Sequence, residues 1–229
     1  MIAIISDIHG NHAALTAVLA EIDRLDVRHV ICLGDIAGYY CQINECCETL
    51  IQRKIFSLMG NHDWYLATNE GCARSRSAND CLDYQRKVVA PAHLAWLRTL
   101  KPQAEIDRLR IVHGGWKDPV DEYVVPSTEY FAGVEGSCFA SGHTHVPCVW
   151  TNGVKTYCNP GSVGQPRDGD SRASFAICDD YEFSIHRVAY DIGAIQHAMQ
   201  DAGFDEYFYR NLEAGTRIGG KIDGLETRS

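Results

Sequence analysis

Short apolar runs alternate along the first third of the chain with stretches whose apolar positions recur every three or four residues. Residues 1–6, 29–33 and 55–59 are runs of the first kind, rich in β-branched side chains, and they predict buried strands. Residues 11–22 carry helical periodicity with Asn11 placed to cap the helix, and 44–53 reads as a second helix. That β-α-β-α-β order predicts parallel pairing with right-handed crossovers. Residues 64–101 are helix-rich: Ser77-Ala78-Asn79-Asp80 predicts a helix start, and Pro91 a break. The polar, Gly-containing stretch 68–77 reads as a mobile loop. Beyond 109 the pattern becomes short strands, at 109–112, 137–141, 147–151, 154–158, 173–178 and 182–188, with Asn152-Gly153 as a type I′ hairpin signal. Residues 191–211 predict one or two helices, and the Gly-rich, charged segment after Gly215 predicts a loosely held tail. The expectation is one α/β domain over 1–229, with 64–101 as a helical insert flanking the site and 214–229 as the tail. Its second half is expected to supply a second, more antiparallel sheet.

Five of the apolar runs end abruptly in residues that bind metals. They lead into Asp7-Ile8-His9, Asp35, Asn61-His62-Asp63, His113 and His143-Thr144-His145. Ligands of open α/β sheets bind just beyond the carboxyl ends of the strands, so these side chains are delivered to one edge. Asp7 and His9 are two residues apart, as are His143 and His145, and on an extended backbone each pair projects to one side. Carboxylate and imidazole donors without thiolates suit Mn, Fe, Zn, Co or Ni better than Mg or Ca. Asp35 could bridge two ions, and a pair about 3.5–4 Å apart could clamp a phosphate and generate hydroxide at neutral pH. A lone strand-end Asp is more often a turn former, and a lone His a satisfied core or surface residue; five in the same context point to a metal centre.

Composition narrows the partners. The net charge of −9 argues against a long nucleic acid, whereas a small anionic substrate stays open because bound cations reverse the local charge. No apolar stretch approaches a membrane span, and the ten cysteines lack CxxC spacing and read as free thiols of a cytoplasmic protein. A site on Cys41, Cys46 and Cys47 lacks partner residues at usable spacing.

Asp7-x-His9, Gly34-Asp35-x-x-Gly38, Gly60-Asn61-His62-Asp63, His113-Gly114 and Gly142-His143-Thr144-His145 together resemble the ordered motif series of the calcineurin-like metallophosphoesterases. Asn159-Pro160-Gly161-Ser162 with Gln165-Pro166-Arg167 is similar to the small bacterial and archaeal phosphodiesterase-like branch. The resemblance implies a four-layer-like α/β sandwich, two mixed β-sheets flanked by helices with the metal site at the carboxyl ends of the strands. It implies that Asp7, His9 and His145 hold one ion and Asn61, His113 and His143 a second, with Asp35 bridging. A metal-bridging hydroxide would attack phosphorus in line while His62 assists the leaving group, oriented by Asp63.

Departures from the family pattern set the substrate expectation. The protein phosphatase branch carries an Arg after the bridging Asp and another after its GNH motif; here those places read Ile36-Ala37-Gly38-Tyr39-Tyr40 and Trp64-Tyr65-Leu66. Without those forks a phosphodiester is favoured over a phosphomonoester dianion. Arg167 is the candidate phosphate contact, Arg74 and Arg76 could reach over from the loop, and His12 is near enough in sequence for a substrate role. Tyr39, Tyr40, Trp64 and Trp116 follow motif residues and could stack a nucleobase or simply pack. Competing readings are a dinucleoside-polyphosphate hydrolase, a phosphomonoesterase and a binding scaffold of the same fold; the retained His62-Asp63 pair argues against the scaffold. Oligomeric state is not legible.

Overall fold

The computed structural model describes residues 1–225 of the chain. Strand β1 (Ile2–Ile5) pairs in parallel with β2 (His29–Cys32), and β2 with the two-residue β3 (Phe56–Ser57). Helix α1 (His12–Arg24) makes the first crossover and α2 (Ile43–Gln52) the second. The N-cap is the expected one: Asn11 Oδ1 accepts from Ala14 N at 3.1 Å, satisfying an orphan donor of the first turn. β3 is shorter than expected: Leu58 N still donates to Cys32 O of β2, but Leu58 also bridges to Lys101, and Met59 N turns away to donate to Lys101 O.

The sheets divide the chain differently from the sequence expectation. β9 (Ala173–Asp179) and β10 (Glu182–Val188) do not extend a second sheet; they add antiparallel to β1, giving the order β10-β9-β1-β2-β3. The second sheet is β4-β5-β6-β8-β7, from β4 (Gln103–Ile106), β5 (Leu109–Val112), β6 (Cys138–Ala140), β7 (Cys148–Thr151) and β8 (Thr156–Asn159). β5, β6 and β8 run parallel, and β4 and β7 lie antiparallel at the edges, so this sheet is no more antiparallel than the first. β4 went unread because only alternate positions are half-buried and it carries a charge, as an edge strand tolerates. The β7–β8 connection is not a type I′ turn. It spans four residues, 152–155; Gly153 alone has positive φ, and Asn152 Oδ1 accepts from Val154 N and Lys155 N.

Alternation along the strands builds the layers. In β1, Ala3 and Ile5 pack under α1 and α2, while Ile4 faces the second sheet with Ile31, Leu109, Ile111, Ala140 and Ala176. Each fully buried Ile or Leu side chain among them stabilises by about 1.5–3 kcal/mol. The outer face of the second sheet is covered by the short α6 (Thr128–Ala132) and an aromatic cluster of Phe131, Phe139 and Tyr157 with Trp116. The result is the mixed α/β architecture expected, two five-stranded sheets between helical layers.

The insert is helical as predicted, with α3 (Asn61–Thr68), α4 (Arg76–Val88) and α5 (Pro91–Leu97). α4 starts earlier than expected because Ser75 caps it, and Asn79 instead pins the loop through Cys72 N and O. After α7 (Ile192–Asp201) the chain forms two short 3-10 turns and then lies against the site. Asn211 Nδ2 donates to Tyr40 Oη at 3.2 Å, Asp223 N donates to Arg167 O at 2.7 Å, and Arg217 pairs with Asp223. The expectation of a loose tail therefore fails over 214–223; its last residues, 226–229, lie outside the described ones. All ten cysteines are free thiols, with Cys46 and Cys47 on the buried face of α2. Among the described residues no helix is long and apolar enough to cross a membrane.

Candidate metal centre

Where β1 and β2 end, their backbones stay paired: Asp7 N donates to Gly34 O, His9 N to Asp35 O and Gly10 N to Ile36 O, at 2.9–3.0 Å. The loops nevertheless leave the strand conformation. Asp7, His9, Asp35, His143 and His145 all have φ between 52° and 67°, so each pair is aimed by a left-handed turn rather than by an extended strand. Such φ values cost roughly 1–2 kcal/mol per non-glycine residue, and strain of this kind concentrates at functional sites. Packing holds them. Asn159 Nδ2 donates to Gly142 O and Thr144 Oγ1, Ser162 Oγ donates to Asp7 O, and His143 N donates to Asp7 Oδ2 at 3.1 Å.

The seven expected donors come together, all nearly inaccessible to solvent. Asp7, His9 and His145 form one group and Asp35, His113 and His143 another, each with ligand atoms within 4.8 Å of one another. His9 Nε2 is 3.0 Å from His145 Nε2 and 3.6 Å from Asp35 Oδ2; His113 Nε2 is 3.4 Å from Asp35 Oδ2 and 3.2 Å from Asn61 Oδ1. Asp35 divides its oxygens. Oδ1 accepts from His62 N at the start of α3, and Oδ2 has no hydrogen-bond partner. Gly60 is required here, because a Cβ would stand 2.1 Å from that Oδ1.

The arrangement fits a pair of cations. His9 Nδ1 faces Ala37 O at 2.7 Å and His145 Nδ1 faces Gln165 O at 2.6 Å, so in the neutral rings both Nε2 lone pairs point at each other and at carboxylates. Burial holds His9 and His145 well below the ordinary histidine range, which keeps those rings neutral. Burial likewise raises Asp7 to about 7. Burial also opposes ionisation of Asp35, but His113, His62 and His9 outweigh it and hold this carboxyl far below its usual range. Converging lone pairs on a dry floor are repulsive by themselves and are satisfied by cations.

A cavity of about 390 Å³ opens over this floor, lined by Asp35, His62, Tyr39, Arg167, Tyr123 and Arg74 among others. His62 is 5% exposed, its ring 4.8 Å from that of Tyr39 and 4.9 Å from that of His9, and Nδ1 is unpartnered. Gly38 makes room for it: a Cβ would stand 2.4 Å from His62 Nδ1. Burial pushes the His62 imidazole down to about 4. Arg167 is buried, donates to Gln165 Oε1 and Tyr39 Oη, and has no ion pair among the described residues.

Three expectations need correction. Asp63 does not orient His62: its carboxylate accepts from Ala37 N and Gly60 N, because adjacent residues on α3 point apart, and it ties the second loop to the third. His12 lies outside the cavity, on α1, with its ring at Thr49 Oγ1. Of the aromatic candidates only Tyr39 reaches the cavity; Tyr40 is core, Trp64 is largely exposed and Trp116 packs on Phe139. Arg74 lines the cavity, whereas Arg76 begins α4. Residues without a motif also matter. Gln85 of α4 clamps the Tyr39 loop by accepting from Gly38 N and donating to Gly38 O and Tyr40 O; Tyr123 and Arg217 border the cavity, and Asp121 stands 3.3 Å from His143 Nε2. Gln85 had a signal: it continues the apolar stripe of Ala78, Cys81 and Leu82, where a polar residue is out of place.

Comparison with known proteins agrees with this geometry. Residues 1–181 match the calcineurin-like phosphoesterase superfamily domain, and the chain belongs to that family. The uncharacterized protein MJ0912 of Methanocaldococcus jannaschii is 35% identical over 215 residues, covering 84% of this chain and 88% of its own. The metallophosphoesterase of Sphaerobacter thermophilus superposes with a TM-score of 0.83 at 32% identity, covering 93% of this chain and 98% of its own. The hypothetical protein PH1004 of Pyrococcus horikoshii shares the fold, with a TM-score of 0.83 at 21% identity over 94% and 99% of the two chains.

Proposed function

We propose that the chain is a binuclear metal-dependent phosphodiesterase. The observation that carries this reading is the convergence of buried carboxylate, imidazole and amide donors from five loops around the unpartnered Oδ2 of Asp35. Asp7, His9 and His145 would hold one ion, Asn61, His113 and His143 the other, and Asp35 would serve both. Bound there, two transition-metal ions supply Lewis acidity, making hydroxide available near neutral pH and neutralising charge that develops on the phosphoryl oxygens.

His62 is aimed into the cavity by two fixed points, its backbone N on Asp35 Oδ1 and its ring between Tyr39 and His9. With burial lowering it to about 4, the ring is neutral at pH 7 and offers an N–H to a leaving-group oxygen. A ligand atom of His62 also lies within 4.8 Å of those of His9 and Asp35, and the metal count in a His62 variant separates a ligand from an acid. Arg167 offers a guanidinium that no carboxylate of the described residues neutralises, suited to a phosphoryl oxygen. The two places where the phosphatase branch carries arginines hold Ile36, Ala37, Trp64 and Tyr65, and Arg167, the cavity arginine without a carboxylate partner among the described residues, suits a diester monoanion. A second reading, cleavage within a chain of linked phosphates, is favoured by Arg74, Arg167 and Arg217 lining the same cavity.

The test is metal analysis joined to a panel of bis-aryl diester, aryl monoester, diadenosine tetraphosphate and cyclic dinucleotides. Preference for the monoester above all others overturns the diester reading. In His62→Ala, two ions are retained and turnover falls by about 10²–10⁴-fold. Unchanged turnover removes His62 from the mechanism, and loss of one ion makes it a ligand.

A further inference from the structure

Four histidines stand among the donors, and three of them share one device. Nδ1 of His9, His113 and His145 each faces a backbone carbonyl, of Ala37, Leu33 and Gln165 respectively, at 2.6–3.0 Å. A carbonyl there fixes the tautomer and leaves Nε2 as the inward lone pair. His143 has no such carbonyl. What stands at its Nε2 is Oδ1 of Asp121, 3.3 Å away and off the N–H line, so that this buried nitrogen has no formal hydrogen bond. Two residues on, the Tyr123 ring packs against the His143 ring with centroids 4.1 Å apart. Arg74, from the loop between α3 and α4, pairs with the same Asp121 oxygen, and its guanidinium lies 5.5 Å over the Tyr123 ring.

We infer that Asp121 is the positioning residue of His143: its carboxylate accepts from Nε2–H, which leaves the Nδ1 lone pair to an ion, and it links the second donor group to the Arg74 loop. The inference rests on the metal-centre reading. Metal-bound histidines almost always give their outer N–H to a carboxylate or carbonyl, and removal of such a partner costs about 10–100-fold in metal affinity. Asp121 is the group that supplies this for the one histidine the backbone leaves unserved. Its oxygen is already neutralised by Arg74, which makes it a better acceptor for an N–H than a ligand for a second cation.

Two measurements on the full chain test this. Manganese titration of the metal-free wild type by calorimetry is expected to give two equivalents. Asp121→Ala should weaken one of them 10–100-fold and the other by no more than about twofold. The Arg74→Ala, Asp121→Ala double variant removes the guanidinium left unpaired and should retain the same one-site loss, while Asp121→Glu should restore part of the affinity. In the metal-free protein, ring ¹⁵N shifts should report the Nε2–H tautomer of His143 in the wild type and a mixture in Asp121→Ala. Two equivalents bound as in the wild type overturn the inference. So does equal weakening of both with a lowered metal-free melting temperature, which is the mark of a packing role. A wild type that takes up no second equivalent overturns the metal-centre reading itself, so the two failures are told apart.

Discussion

The two donor groups are built of similar atoms but held by different means. Around Asp7, His9 and His145 nearly every outer contact is main chain: the carbonyls of Ala37 and Gln165, the amide of His143, and Ser162 on the Asp7 carbonyl. Around Asp35, His113 and His143, one histidine rests on the Leu33 carbonyl, while the other depends on the part-exposed side chain of Asp121. Asn61 comes from the first turn of a helix rather than from a strand loop. Main-chain supports are fixed by the sheet and change little from one state to the next. Side-chain supports can be drawn away by a ligand or a loop. The first group therefore has the character of a permanent site and the second that of an adjustable one, facing the arginine-lined side of the cavity.

Metal removal is the harshest way to break this comparison. Chelation should abolish activity and lower thermal stability, by about 4 kcal/mol where the free ion stood at a thousand times its dissociation constant. The loss should come in two steps as chelator rises, with the ion of the second group leaving first. Simultaneous loss of both ions, followed by atomic absorption and calorimetric melting, would remove the asymmetry.

Arg167 tests the other side, because its guanidinium is anchored through Gln165, whose carbonyl supports His145. Arg167→Gln should raise KM for the diester by about 10–100-fold, the value of a hydrogen bond to a charged group, with a smaller change in kcat. Lysine at this position should not restore KM, since it lacks the planar fork held by Gln165 and Tyr39. A KM equal to the wild type would return Arg167 to the status of a structural residue. Gln85→Leu should act more mildly and on both groups, because the loop it clamps carries Tyr39 and follows Asp35. Leaving Gly38 N–H and two carbonyls without their partner should cost about 1–3 kcal/mol in denaturant unfolding.

What the sequence made legible follows the same division. Asp7, His9, Asp35, Asn61, His113, His143 and His145 were readable because each ends a short apolar run, and strand ends converge whatever the details of the loops. Their left-handed backbone was not readable, since only tertiary packing stabilises φ near +55° at Asp and His. The role the resemblance implies for Asp63 does not hold, because adjacent residues on a helix point apart and the Asp63 carboxylate goes to Ala37 N and Gly60 N. Asp121 and Tyr123 sit in an irregular segment without periodicity, and their contacts to His143 depend on where that segment folds. Alternation identifies β9 and β10 as strands, but sheet membership depends on long-range pairing that alternation does not encode.

The smallest effect concerns a group outside both donor sets, and it serves as the control for the asymmetry. Asp170 accepts from Arg172 Nε at 3.0 Å, Nη2 at 2.6 Å and backbone N at 3.0 Å, with Arg187 4.0 Å away, and it does not line the cavity. The hydrogen bond from Arg172 leads in lowering its pKa to about 2. Because the folded value lies below the unfolded one, the pair contributes stability above about pH 4, and that contribution is lost as pH falls towards 2. Both side chains are partly exposed, so solvent screening keeps the contribution small. Carbon-detected NMR titration of the Asp170 carboxyl should give the same low midpoint with metal and after chelation. A midpoint near 3.8 would mean that the ion pair does not hold this loop, and a midpoint that moves on chelation would mean that the centre's supports extend further along residues 165–172 than the two donor groups alone.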